Sequence, residues 1–124
     1  MAEDFLGLFS QETNTITFEP GSELFRKGDP RDNLYVVQSG EIQIVDGNYV
    51  LETVLAGGIL GEMALVDGGP RSATARALTK SVVIPVDERR FLFLVQQTPF
   101  FAIRVMRLMS ARLRTMNERA RALD

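Results

Sequence analysis

The sequence predicts a mainly β fold with flanking helices: a β-roll or jelly-roll-like barrel (a double-stranded β-helix) followed by two C-terminal helices. Three observations carry this expectation. Residues 15–86 divide into short apolar or alternating runs, separated by Gly, Pro, Asp and Asn at near-even spacing; this is the pattern of a sandwich or barrel. Beyond Asp87 the apolar spacing changes to the three- and four-residue period of helices. The length, 124 residues, suits one domain, 1–124, able to bury about two thirds of its unfolded surface.

The strands follow in order. Thr15–Phe18 alternates and is turned by Glu19-Pro20-Gly21. Glu23–Arg26 is stopped by Lys27-Gly28-Asp29-Pro30, and Leu34–Val37 by Ser39-Gly40. Glu41–Val45 alternates up to Asp46-Gly47-Asn48, a hairpin signal, and Tyr49–Leu55 returns. Ala73–Ala77 and Ser81–Val86 complete the barrel, which spans about 15–86. Pro85 lacks an N–H, which places it at a sheet edge or strand end.

Two helices close the chain. Asp87 is an N-cap for Glu88–Gln97, with Phe91, Leu94 and Val95 on one face. Thr98-Pro99 restarts a helix, about 99–122, with Thr as N-cap and Pro in the first helical position. Along it Met106, Met109, Leu113, Met116, Ala120 and Leu123 recur at heptad a/d spacing. Val105 and Leu108 widen the apolar face. One broad face packed on the chain's own barrel would use all of these. We expect instead a split, with Val105 and Leu108 on the barrel and the seam on a second copy, a homodimer, because otherwise much apolar surface stays wet.

Composition excludes several functions. There is no Cys and no His. This removes disulfides, thiolate metal sites, Ser-His and Cys-His nucleophiles and the commonest metal ligand. No catalytic residue, no metal site and no cofactor is expected, and the chain is read as not an enzyme. The start of the chain is acidic and has no signal-peptide core. The longest purely apolar run, Phe91–Val95, is far short of the roughly 20 residues of a membrane helix. A cytoplasmic protein without membrane contact is expected. Charge is uneven: residues 1–98 hold 8 basic and 14 acidic side chains, net −6, and residues 99–124 hold 6 Arg against Glu118 and Asp124, net +4. A basic tail can meet nucleic acid, but a solvated helix facing an acidic body or partner is the reading adopted.

The segment Gly61-Glu62-Met63-Ala64-Leu65-Val66-Asp67-Gly68-Gly69-Pro70-Arg71-Ser72-Ala73-Thr74 bears most on function. Residues 61–65 read as a single helical turn, whose unpaired N–H groups and dipole suit an oxyanion. Gly57, Gly58 and Gly61 allow close backbone approach. Arg71 offers a planar fork for phosphate oxygens, and Ser72 adds a hydroxyl donor. Glu62 can accept from a ribose hydroxyl and hold Arg71 in place. Together these suit a compact ligand with an anionic group and a hydroxyl, as a cyclic nucleotide has.

In order and spacing the segment resembles the phosphate-binding cassette of the cyclic-nucleotide-binding domain family, which includes bacterial catabolite activators, regulatory subunits of the cyclic-AMP-dependent kinase and cyclic-nucleotide-gated channels. Gly61-Glu62-Met63-Ala64-Leu65 and Pro70-Arg71-Ser72-Ala73-Thr74 carry the likeness. Phe18-Glu19-Pro20-Gly21, Phe25–Asp29 and Leu34–Glu41 extend it over nearly the whole chain. The resemblance implies a signal-transduction domain binding cyclic AMP or cyclic GMP. Arg71 would bind the cyclic phosphate and Glu62 the ribose 2′-OH. Ser72, with backbone groups of Gly61, Met63 and Ala64, would complete those contacts, and Ala73 and Thr74 belong to the same set. Ile44 and Leu51 would line the apolar side. Arg112, Met116 and Asn117 match final-helix positions that reach the base in the catabolite activators.

The sequence departs from the family pattern in two places. Gly58 and Leu60 stand where an acidic and an aromatic residue are frequent, and Met116-Asn117 replaces a Thr-Ser pair. Asn117 can still donate and accept to a purine edge. With Asp124 ending the sequence given, no DNA-binding output is expected of this chain, whether it is a stand-alone sensor or a fragment of a larger regulator, and an unidentified protein effector would read the ligand's effect. The competing expectation is the same fold as a ligand-independent interaction or dimerisation module. Against it stands the cost of burying Arg71 without an anion.

Overall fold

The computed structural model describes residues 4–9 and 11–122; the Ala64 side chain is outside the described atoms. Residues 4–88 form one compact unit, and the residues from Arg89 onward form another.

The first unit is two four-stranded antiparallel sheets, an open roll. In chain order the strands are β1 (Ile16–Phe18), β2 (Glu23–Phe25), β3 (Leu34–Ser39), β4 (Ile42–Asp46), β5 (Tyr49–Val54), β6 (Ile59–Leu60), β7 (Thr74–Ala77) and β8 (Ser81–Val86). One sheet runs β1-β8-β3-β6 and the other β2-β7-β4-β5. Facing side chains make the core: Tyr35, Val37, Leu60 and Val83 from the first sheet meet Ile42, Val54, Ala75 and Ala77 from the second. Alternating burial on β7 (Ala75 and Ala77 in, Arg76 out) is the period of a half-buried strand.

The predicted barrel is therefore present as a roll, with strand ends moved by one or two residues. The Asp46-Gly47-Asn48 hairpin closes β4 on β5 through an Asp46↔Tyr49 pair. Gly47 has φ +60° and, among the described residues, no non-Gly residue has positive φ, the φ signs of a type II′ turn. Pro85 lies on an interior strand, between β1 and β3. It is tolerated because β1 ends its pairing at Ile16↔Val83, leaving Pro85 opposed only by Tyr35 of β3.

Two elements lie outside the expected set. Leu6–Phe9 is a short 3-10 turn. Asp4 Oδ1 accepts from the Leu6 N–H at 2.9 Å, Phe5 is fully buried, and its N–H donates to the Gly57 carbonyl at 2.7 Å. The two-residue β6 pairs Leu60 with Tyr35, and it delivers the chain directly into α1 (Glu62–Asp67).

The second unit contains α2 (Glu88–Gln97), whose first residue belongs to the first unit, and α3 (Phe100–Ala122). Thr98 and Pro99 sit just before α3. Their carbonyls accept from the N–H groups of Phe101 (2.8 Å) and Ala102 (3.1 Å), a tight first turn. Phe91 of α2 meets Phe101 of α3 edge-on, ring centres 5.6 Å apart. On α3, Phe101 and Val105 are buried, Leu108 and Met109 half-buried, and Met106, Leu113, Met116 and Ala120 exposed. Leu123 of the expected seam lies outside the described residues. Among the described residues no helix is long and apolar enough to cross a membrane.

Candidate functional site

Arg71 lies in the link between α1 and β7, fixed at both ends of its peptide. Its N–H donates to the Asp29 carbonyl (2.9 Å), and its carbonyl accepts from the Gly28 N–H (2.8 Å). Three further bonds make the β2–β3 turn a rigid clasp. Asp29 accepts from the Arg26 N–H (2.9 Å), Thr74 Oγ1 accepts from the Lys27 N–H (3.0 Å), and the Lys27 ammonium meets the Asp46 carboxylate (3.0 Å).

The Arg71 side chain is only 2% exposed. Its Nη1 donates to the Gly61 carbonyl at 3.2 Å, and its Nη2 donates to the Asp32 carboxylate and the Asn33 carbonyl. The guanidinium lies over the Phe25 ring, 4.0 Å from its centre, and 6.0 Å from that of Tyr35. Phe25 and Tyr35 are themselves stacked at 6.2 Å. Strands of opposite sheets thus supply one aromatic shelf beneath the cation, an arrangement that attracts it electrostatically. Burial, seconded by the Asp32 charge, raises the Tyr35 phenol above its ordinary value, so the shelf stays uncharged at neutral pH.

Gly61 has φ +79°, and a Cβ there would stand 2.6 Å from Arg71 Nη1 and 3.2 Å from the Asn33 carbonyl. Only glycine fits both backbone and neighbour. Gly61→Ala should therefore push the guanidinium off its seat. We expect about a tenfold loss of affinity for a phosphate-bearing ligand, from strain of about 1–3 kcal/mol at the site. Titration calorimetry against wild type checks it; unchanged affinity would show that Arg71 tolerates displacement.

The site residues expected from sequence fall as follows. Gly61, whose carbonyl accepts from Arg71 Nη1, and Glu62 lie where β6 runs into α1, and Glu62 is buried at 3% exposure. Met63 on α1 is exposed, and Ala64 follows it on the same helix. Ser72 is exposed and Ala73 buried. Thr74 pairs with Val45, and Ile44 with Ala75, so half-buried Ile44 lies across from β7, the strand that follows Arg71. Half-buried Leu51 is the extra residue of a bulge in β5, between the pairs Ile44↔Glu52 and Val45↔Val50. Arg112, half-buried, and Asn117, exposed, lie on α3 and so belong to the second unit.

Asp32, Asn33 and Phe25 are the functional neighbours that the sequence reading lacks. The carboxylate on Nη2 is that of Asp32, which lies outside the 61–74 segment. Arg71, expected to be buried without an anion when no ligand is present, is instead paired with the Asp32 carboxylate. One donor stays unsatisfied: among the described residues, Arg71 Nε is buried with no hydrogen-bond acceptor. A cationic, fork-shaped group with an orphan donor fits an oxyanion chemically.

The sequence profile of the cyclic nucleotide-binding domain matches residues 15–98. The chain belongs to this family. The match takes in both sheets, α1 and α2. A CRP-like cAMP-activated global transcriptional regulator of Mycobacterium tuberculosis is 26% identical over 117 residues, which is 90% of this chain and 52% of the regulator. The cAMP-dependent protein kinase type II regulatory subunit of Drosophila melanogaster is 32% identical over 82 residues, 66% of this chain and 22% of the subunit. The crystal structure of the Thermus thermophilus catabolite activator protein superposes with a TM-score of 0.82 at 26% identity, covering 95% of this chain and 58% of that one. This cyclic nucleotide-binding domain therefore spans about half the length of the bacterial regulators it matches.

Proposed function

We propose that the chain is a cytoplasmic sensor domain for a cyclic nucleotide, first of all cyclic AMP, with no catalytic activity and no sequence-specific DNA binding of its own. The observation that carries this reading is the buried Arg71 guanidinium on the Gly61 carbonyl, with its Nε donor unsatisfied. Two named relatives, a cAMP-activated regulator and a cAMP-dependent kinase subunit, favour cyclic AMP over cyclic GMP. In this reading Arg71 binds the cyclic phosphate and Glu62 accepts from the ribose 2′-OH. Ser72 and the backbone of Gly61, Met63 and Ala64 add donors, and Ala73 and Thr74 continue that wall. Ile44 and Leu51 supply apolar contact. Ligand binding then shifts the population of α3 conformations that a protein effector or a second copy senses.

Calorimetric titration of nucleotide-free protein with cyclic AMP, then cyclic GMP, tests this. Micromolar or tighter binding is expected, with thermal stabilisation of about 2.7 kcal/mol at a hundredfold excess over Kd. No heat and no stabilisation with either nucleotide would overturn it. One observation favours the other reading, a ligand-independent interaction module: the Asp32–Arg71 pair neutralises the cation without ligand.

A homodimer through α3 is part of the proposal. Met106, Leu113 and Met116 are each more than half exposed on that helix, and burying such a stripe is favourable at about 25 cal/mol per Å². Wild type is expected to scatter light as a dimer and Leu113→Glu as a monomer, since a paired seam would bury the new carboxylate. A wild type that is monomeric at high concentration sinks the dimer.

A further inference from the structure

The geometry points to Phe25 as a positioning residue for the anion-binding arginine, through the β2–β3 turn that it begins. This inference rests on the cyclic-nucleotide reading and adds to it a residue outside the cassette. Four observations converge. The Phe25 ring lies 4.0 Å beneath the Arg71 guanidinium. Phe25 ends β2, and its backbone leads at once into the turn whose Gly28 and Asp29 bond both sides of the Arg71 peptide. Thr74, three residues beyond Arg71, grips the same turn through Lys27. Phe25 is half-buried against the core cluster and stacked on Tyr35, so its ring cannot swing away freely.

The physical consequence is a cation held in three dimensions. Asp32, Asn33 and Gly61 fix the guanidinium within its own plane. Hydrogen bonds in that plane do little to stop the group tilting out of it. The aromatic face supplies that restraint, because the ring quadrupole attracts the cation across the missing dimension. A tilt would carry Nε away from an incoming phosphate, so the ring pre-organises the fork and lowers the ordering cost of binding. An aliphatic side chain of similar bulk fills the space without that attraction.

The test compares Phe25→Leu, Phe25→Tyr and a control, Phe18→Leu. Phe18 packs on the same cluster, so its truncation reports general loosening. Two readouts are taken well below every melting temperature: affinity for cyclic AMP by calorimetry, and the Arg71 side-chain NMR signals of ligand-free protein. Arg71 signals are expected to be displaced by the ring current in wild type and in Phe25→Tyr, and to lose that displacement in Phe25→Leu. Affinity should fall about tenfold in Phe25→Leu, recover in Phe25→Tyr and hold in Phe18→Leu. Equal losses in Phe18→Leu and Phe25→Leu, or failure of Tyr to rescue, would reduce Phe25 to packing and overturn the inference. Wild type that binds neither cyclic AMP nor cyclic GMP overturns the nucleotide reading instead. The ring-current arm, which needs no ligand, then still decides whether Phe25 places the guanidinium.

Discussion

Arg71→Ala is expected to lower affinity for cyclic AMP at least about 100-fold while leaving a folded protein. A hydrogen bond to a charged group contributes about 1.5–3 kcal/mol. One such bond from the orphan Nε, lost together with the buried positive charge beside the phosphate, amounts to about two factors of ten at 1.4 kcal/mol each. The fold survives for a reason visible in the geometry. The bonds tying residue 71 to Gly28 and Asp29 use its backbone, and alanine keeps them. The carboxylate left behind, Asp32, has a side chain 62% exposed, so water takes over its solvation and no stranded buried charge results. Calorimetry with a parallel thermal melt measures both halves. Affinity within threefold of wild type would remove Arg71 from the phosphate; a collapsed melt would show that its role in linking the two sheets dominates. Arg71→Lys sharpens the result. It keeps the charge and loses the fork, so most of the affinity should still be lost if two-point recognition matters.

Much of this site was readable because its logic is local. Gly61, Glu62, Arg71 and Ser72 fall within twelve consecutive positions, and the glycine, short helix and guanidinium that an oxyanion needs are each a property of nearby sequence. Asp32 and Phe25 were not readable in that way. They stand far earlier in the chain and reach Arg71 only because β2 pairs with β7 while β3 carries Tyr35 across from the other sheet. A pair such as Asp32-Asn33 before a strand has no distinguishing pattern of its own. The same limit explains β6 and the Leu6–Phe9 turn. Two apolar residues cannot show a period of two, and the run from Phe5 to Phe9 has apolar positions on every side of a helix. Burial of Phe5 is decided by a bond to Gly57, which no window of sequence contains. The helices were legible because ten and twenty-three residues display a period many times over.

Gly40→Ala should be the most damaging single methyl group in the first unit, costing about 3–5 kcal/mol and lowering Tm by roughly 10–20 °C. Ser39-Gly40 reads from sequence as an ordinary turn. In the fold, Gly40 sits where the chain crosses from β3 in one sheet to β4 in the other, beside the return crossing from β7 to β8. The two crossings are sewn together: the Glu41 N–H is shared by Thr79 Oγ1 and Ser81 Oγ, Ser81 Oγ donates to the Thr79 carbonyl, and the Leu78 N–H donates to the Glu41 carbonyl. Ser81 is fully buried. A Cβ on Gly40 would stand 2.3 Å from Ser81 Oγ, 2.6 Å from the Lys80 carbonyl and 2.7 Å from Ser81 Cα. Two of these are backbone atoms, which cannot rotate aside, so the crossings must part and strand their buried polar groups. Gly21 supplies the control. Its φ of +87° nearly equals the +91° of Gly40, yet nothing lies within 4 Å of its Cβ position. Gly21→Ala should therefore show the backbone strain alone, about 1–2 kcal/mol. The excess of Gly40→Ala over Gly21→Ala in chemical denaturation measures what close approach contributes. Equal losses would mean that the two crossings separate without cost, and that the sheets are held together by the core between them and not by this corner.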